Sequence, residues 1–245
     1  MTSHMISWQA RMIWIDSDAE LTVFSNAIFR IHAIIVLLCF DDISFSVVNR
    51  YLAEFLMMGK ELSEMTLEEL WDLFPIFLVQ HDDRWNEYFK EIEDTIIDLL
   101  TDFPDKRVSD IGSTAIQGIW AKNIVDVMVE ISEKANMDEA THILDQNGFV
   151  KMSDEDGRIV LNKGYSKDGF ADKVYHMHLR YIGDDDELYF RDYLNEHPQT
   201  EKEYEALKLE LWKKYEHDRD AYTDAKTDFI RKWTMESRRE YVDRY

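Results

Sequence analysis

Residues 111–130 read IGSTAIQGIWAKNIVDVMVE: a Gly-Ser pair and then, 13 positions beyond Ser113, a carboxylate, Asp126, set inside an apolar run. A charge in such a run is costly to bury unless it is paired, hydrogen-bonded or bound to a cation. Whatever fold the chain adopts must therefore bring a donor or a cation to Asp126. Glycine allows close backbone approach, and successive N–H groups can face an anion. Gly112 and Ser113 near Asp126 thus suit a phosphate held on backbone amides beside a metal-binding acid. The spacing leaves room for a short helical crossover between an apolar run at 108–111 and a strand at 124–131.

Side chains alternate along a strand, so Asp126, Met128 and Glu130 share one face and Val125, Val127 and Val129 the other, with the valines expected inside. A phosphoryl-transfer site ordinarily has a second acid two residues from the first, about 7 Å along the strand. That position holds Met128. Glu130 is about 13 Å away by strand rise, too far to share an ion. Asp126 is either a metal-binding acid or a hydrogen-bonded one without metal.

The 245-residue chain carries a formal charge of −22, which argues against a broad grip on nucleic acid, since that mode needs clustered Lys and Arg. A local basic pocket remains compatible with it. Only 8 Gly and 3 Pro predict few tight turns and much helix. Cys39 is the single cysteine, which fits a reducing compartment. The longest apolar run, 31–40, is interrupted by His32 and is about half the ~20 residues a membrane span requires. No positively charged segment precedes a cleavable apolar one, so a cytoplasmic protein without membrane attachment is expected.

Residues 1–57 contain no Lys, Gly or Pro. They form either a small helical appendage or an extension upstream of a natural start at Met57 or Met58, with the chemistry expected in 58–245. Thr66 and Glu69 have capping-box spacing ahead of a short helix ending near Pro75. Trp85, Tyr88, Phe89, Ile92, Ile96, Leu99 and Leu100 recur at helical spacing. The pattern further predicts a helix over 137–147 ended by Gly148, short strands over 149–152 and 158–163, a strand over 174–182, and helices over 187–196, 199–215 and 219–233. The class is α+β.

His176, His178 and Arg180 share a strand face; a His-x-His pair can bind metal, donate to phosphate or act as acid and base. If their strand neighbours that of Asp126, an Asp/His/His pocket follows. Lys122, Arg158 and Arg191 are candidates for phosphate or carboxylate recognition. Lys208 and Lys226 lie on helical stripes with Tyr204 and Tyr222; they are either lysines snorkelling over core aromatics or cations reaching an anionic ligand between these helices and the sheet.

The blocks Gly112-Ser113-Thr114-Ala115 with Gly118, Ala121-Lys122 and Ile124-Val125-Asp126-Val127, then His176-Met177-His178-Leu179, Tyr189-Phe190-Arg191-Asp192-Tyr193-Leu194, Glu203-Tyr204, Leu207-Lys208 and Tyr222 through Ile230, resemble in order and spacing the GrpB-like family of the nucleotidyltransferase superfamily. The resemblance spans about 75–233. It implies a nucleotidyltransferase-like mixed sheet flanked by helices, with a helical C-terminal third. It also implies Gly112 and Ser113 at the nucleotide-phosphate position and Asp126 at the first metal-carboxylate position. The expectation is a protein that binds a nucleoside triphosphate (NTP) and Mg²⁺ and transfers a nucleotidyl group to an unidentified small molecule or protein side chain. Asp126 and His178 would hold the metal, with His176 or His178 assisting proton transfer. The chain departs from the family pattern at Met128, and at Gln117 and Asn123, where proline is frequent. The alternative is a catalytically silent nucleotide- or anion-binding or interaction module of the same fold.

Overall fold

The computed structural model describes residues 60–245, so the segment 1–57, its expected boundary and Cys39 lie outside the described residues. The described chain divides into a unit ending at Met65 and a unit comprising Thr66–Tyr245. Of the first, only a 3-10 turn over Leu62–Glu64 is described.

In the second unit, helix α1 (Leu67–Leu73) starts at the predicted capping box: Glu69 N–H donates to Thr66 Oγ1, and Thr66 N–H to the Glu69 carboxylate. Helix α2 (Arg84–Leu99) buries Trp85, Ile92 and Ile96 along one stripe, as its spacing requires. Strands β1 (Arg107–Ile111) and β2 (Val125–Ile131) follow, then helix α3 (Met137–Gln146), capped by the Asn136 side chain. Next come β3 (Val150–Glu155), β4 (Arg158–Ser166) and β5 (Gly169–Tyr181). The chain ends in α4 (Asp186–Glu196), α5 (Pro198–Lys214) and α6 (Arg219–Glu240).

The sheet order is β1-β2-β5-β4-β3; β2 and β5 run parallel and the other neighbours antiparallel. This is the expected α+β arrangement, a mixed sheet flanked by helices with a helical C-terminal third. Two features differ from expectation. The 112–124 segment is a run of turns joining antiparallel strands, with no crossover helix. Its apolar side chains Ile116 and Ile119 are instead buried against Phe190, Leu194 and Tyr204. The second difference is that the valine face is not the only inner face. Val125, Val127, Val129 and Ile131 pack on α2 and α3 through Trp85, Ile96 and Leu144, but Met128 and Glu130 on the opposite face are also fully buried. Met128 packs with Ile111 and Leu188, and Glu130 pairs with Arg107. A sheet covered by helices on both sides needs no exposed polar face.

Helix α6 is fastened at both ends. At its start Asp218 caps Ala221 N–H at 2.9 Å, and Arg219 donates to the Tyr165 hydroxyl on β4. Near its end Ser237 donates to the Tyr189 carbonyl at 2.6 Å, and Arg238 pairs with Asp185 and Asp186.

Candidate functional site

The two central parallel strands place Asp126 beside His176 and Met128 beside His178 in register. Parallel partners point to the same side of a sheet, so Asp126 and both histidines face the layer formed by α4, α5 and α6. Gly112 ends β1 with φ +71°, and a β-carbon built there would lie 2.2 Å from Asp126 Oδ2. Only glycine lets the turn pass this close to the carboxylate.

His176 Nδ1 lies 3.3 Å and His178 Nε2 4.0 Å from Asp126 Oδ1. The neighbours fix the tautomers. Arginine only donates, so His178 Nδ1, 3.2 Å from Arg180 Nη2, accepts, and its Nε2 carries the proton facing Asp126. The Tyr165 hydroxyl accepts from Arg219 at 3.2 Å and sits 2.6 Å from His176 Nε2. It donates there, which leaves the His176 proton on Nδ1, towards Asp126. Burial opposes the charge on Asp126, but the imidazole N–H groups aimed at it outweigh burial and hold its carboxyl well below the ordinary range. Burial pushes His176 down to about 4, so the pair is an ionised carboxylate and a neutral imidazole at neutral pH.

This donor set does not fit a magnesium centre. Mg²⁺ demands oxygen ligands in near-octahedral geometry, whereas Asp126 faces the imidazole nitrogens of His176 at 3.3 Å and, farther off, His178 at 4.0 Å, and the position of a second acid holds Met128 in an apolar cluster. Asp110 does not substitute: opposite Val127, it shares the valine face, away from the histidines. Burial and the charge of Asp126 push its carboxyl up to about 7. Among the described residues, no group of three or more His, Cys, Asp or Glu side chains is set to hold a metal ion.

A cleft of about 960 Å³ opens between this sheet face and the C-terminal helices, lined in part by Gly112, Ser113, Asp126, His176 and His178. Seven Lys and Arg side chains line it; Arg158, Arg231 and Arg238 are paired with acids, which leaves four: Lys122 from the turn segment, Lys208 from α5, and Arg219 and Lys226 from α6. Among the described residues, none of the four has a carboxylate within ion-pairing distance. Lys208 is fully buried and donates to the Trp120 carbonyl; Lys226 sits 4.3 Å from the Tyr222 ring centre. Burial, reinforced by the neighbouring cations, lowers Lys122 and Lys208 to about 7; burial likewise lowers Lys226 to about 8, against the pull of Asp126.

Of the other candidates from the sequence, Arg158 also lines the cleft but is paired with Asp184. Arg191 is not brought there: its guanidinium donates to the Asp110 carbonyl, to Asp192 and to the Tyr245 hydroxyl, tying α4 to β1 and the C-terminus. Tyr165 and Arg219 escape the sequence pattern. Asp168-Gly169 at the β4–β5 turn is the signal that would have found Tyr165, because a tight hairpin there folds β4 back along the histidine strand.

Among curated proteins, the glutamate-rich protein GrpB of Alkalihalophilus pseudofirmus is 32% identical over 161 residues, covering 63% of this chain and 91% of that protein. The UPF0157 protein YqkA of Bacillus subtilis is 26% identical over 67% of this chain, which spans about half (49%) of YqkA. Among solved structures, the conserved protein GrpB from Enterococcus faecalis aligns with a TM-score of 0.59 at 25% identity, covering 68% of this chain and all of that one. No helix among the described residues is long and apolar enough to cross a membrane. The family described as GrpB protein matches residues 75–236 of the 245, and the chain belongs to the GrpB family.

Proposed function

We propose that this protein binds a nucleoside triphosphate in the cleft between the sheet and the C-terminal helices. The observation that carries the reading is the convergence of Lys122, Lys208, Arg219 and Lys226, without carboxylate partners among the described residues, in a chain of net charge −22. Unpaired cations in a partly desolvated cleft attract a polyanion strongly, because field lines are focused where water is excluded. The turn at Gly112 and Ser113 contributes backbone N–H groups beside the same cleft, a common way of holding phosphate.

Transfer of a nucleotidyl group to a small molecule or a protein side chain is the chemistry that such a bound triphosphate would serve. In it, an acceptor hydroxyl attacks the α-phosphorus, pyrophosphate leaves, and the hydroxyl proton needs a base. Of the acids lining the cleft, Asp126, Asp186, Glu187 and Asp220, Asp126 is the one beside the Gly112–Ser113 turn, and His176 and His178 steady its charge. A second reading, binding without transfer, is favoured by Met128: its burial with Ile111 and Leu188 leaves the acidic pair of the superfamily incomplete.

The test is a thermal-shift panel with ATP, GTP, CTP and UTP, each with Mg²⁺ and with EDTA, followed by a pyrophosphate-release assay with any nucleotide that binds. A ligand present at 100 times its Kd stabilises the native state by about 2.7 kcal/mol. No shift with any nucleotide under either condition rejects the binding reading. Binding without pyrophosphate release across acceptor classes rejects transfer.

A further inference from the structure

We infer that this cleft takes the polyphosphate of its ligand without a divalent metal, the ammonium groups of Lys122 and Lys226 supplying the positive charge. The inference rests on the nucleotide-binding reading and names its ligand as the metal-free polyphosphate.

Two independent observations lead to it. The first is the donor set at Asp126. Both imidazoles present N–H to the carboxylate, their outer nitrogens being occupied by Arg180 and Tyr165, so neither ring offers the lone pair a metal would need. The second is charge. Lys122 and Lys226 line the same cleft as Asp126, and among the described residues no carboxylate stands within ion-pairing distance of either. The cleft lining as a whole holds seven Lys and Arg side chains against four carboxylates, Asp126, Asp186, Glu187 and Asp220.

The chemistry then differs in sign from that of a metal site. Mg²⁺ bound to ATP occupies the same phosphate oxygens that the lysines would contact and reduces the ligand's charge. Magnesium therefore competes with the protein for the polyphosphate and weakens binding. Inorganic tripolyphosphate, which carries the same oxygens without base or sugar, should bind as well.

The experiment is isothermal titration of the full chain with ATP and with inorganic tripolyphosphate, in EDTA and in excess Mg²⁺. It is repeated on Lys226→Met, Lys226→Arg and Lys213→Met, where Lys213 is an exposed lysine outside the cleft. The expected result is binding of both ligands in EDTA and weaker binding in Mg²⁺. Affinity should fall about tenfold or more in Lys226→Met, corresponding to one lost charge contact, with Lys226→Arg and Lys213→Met close to wild type. Circular dichroism of each variant shows whether it is folded. Binding only in Mg²⁺ overturns the inference and leaves the nucleotide reading standing; binding under neither condition overturns both.

Discussion

Replacing Gly112 with alanine isolates the tightest approach in the site. The new β-carbon would stand 2.2 Å from Asp126 Oδ2 and 2.8 Å from both Asp126 Cβ and Cγ, at a backbone φ of +71°. Restoring ordinary contact requires Oδ2 to move by about 1.2 Å, which turns the carboxylate and disturbs the contact of its Oδ1 with His176. Because Asp126 Cβ also clashes, strand β2 must shift too. The left-handed backbone costs alanine about 1 kcal/mol, overpacking about 1–3 kcal/mol, and the weakened polar contacts at a part-buried carboxylate about 1 kcal/mol. The sum is about 3–5 kcal/mol, or about 6–20 °C in Tm for a domain of this size. Gly169→Ala supplies the control: its φ is +105°, but a β-carbon there meets nothing within 4 Å, so only backbone strain applies. Urea unfolding followed by tryptophan fluorescence measures both variants. The double variant Gly112→Ala/Asp126→Ala, with the carboxylate removed, should recover at least about 1 kcal/mol relative to additivity. Equal destabilisation by Gly112→Ala and Gly169→Ala, or an additive cycle, would refute the claim that glycine is required by the carboxylate.

Arg107→Ala leaves the fully buried Glu130 carboxylate without its partner and should cost about 3 kcal/mol in urea unfolding; a loss below about 1 kcal/mol would mean that water replaces the guanidinium. Met128→Asp places a charge among Ile111 and Leu188 and should destabilise by about 3 kcal/mol or more without creating a magnesium site; a fully stable variant with new Mg²⁺ affinity, read by calorimetry, would contradict the assigned packing. His176 is held below its unfolded value of 6.5, at about 4, so the native state binds fewer protons than the unfolded one between these limits. Its stabilising effect is complete above pH 6.5 and is lost as pH falls towards 4; a urea midpoint that does not move between pH 7 and pH 5 would count against a neutral buried imidazole. With Lys122 at about 7 and Lys226 at about 8, beside Arg219 and Asp126, ATP affinity should fall as pH rises from 7 to 9; a flat titration profile would show that these lysines do not carry the binding.

Local signals made much of the fold readable. The Thr66/Glu69 capping box, the apolar stripe from Trp85 to Leu99, and Gly148 after α3 each act within a few residues, so spacing alone exposes them. The site was legible in part: Asp126 and the His-x-His pair are conspicuous in the sequence, but their adjacency depends on β2 pairing with a strand some fifty residues later. The 112–124 segment shows what spacing does not convey. Its backbone groups are satisfied by side chains distant in sequence: Asn195 brackets Ala115 and Gln117, Glu205 accepts from Trp120 N–H, and Lys208 donates to the Trp120 carbonyl. A helix satisfies its own hydrogen bonds, whereas this segment draws several of them from α4 and α5 and two more from Val79, which pairs with Ala121, and no local pattern records that. The role of Asn123 is hidden for the same reason: it accepts from the Trp85 indole at 2.8 Å.

The anchoring of α6 at both ends bears on how the cleft could work. A beam supported at two points resists bending far more than one hung from a single joint, and Lys226 sits between the supports at Arg219 and Ser237–Arg238. The wall that carries the cationic side chains is thus a fixed mould rather than a jaw. Ligand capture on such a surface needs little rearrangement, so the protein would select by preformed shape and charge, and association would be limited by encounter rather than by closure.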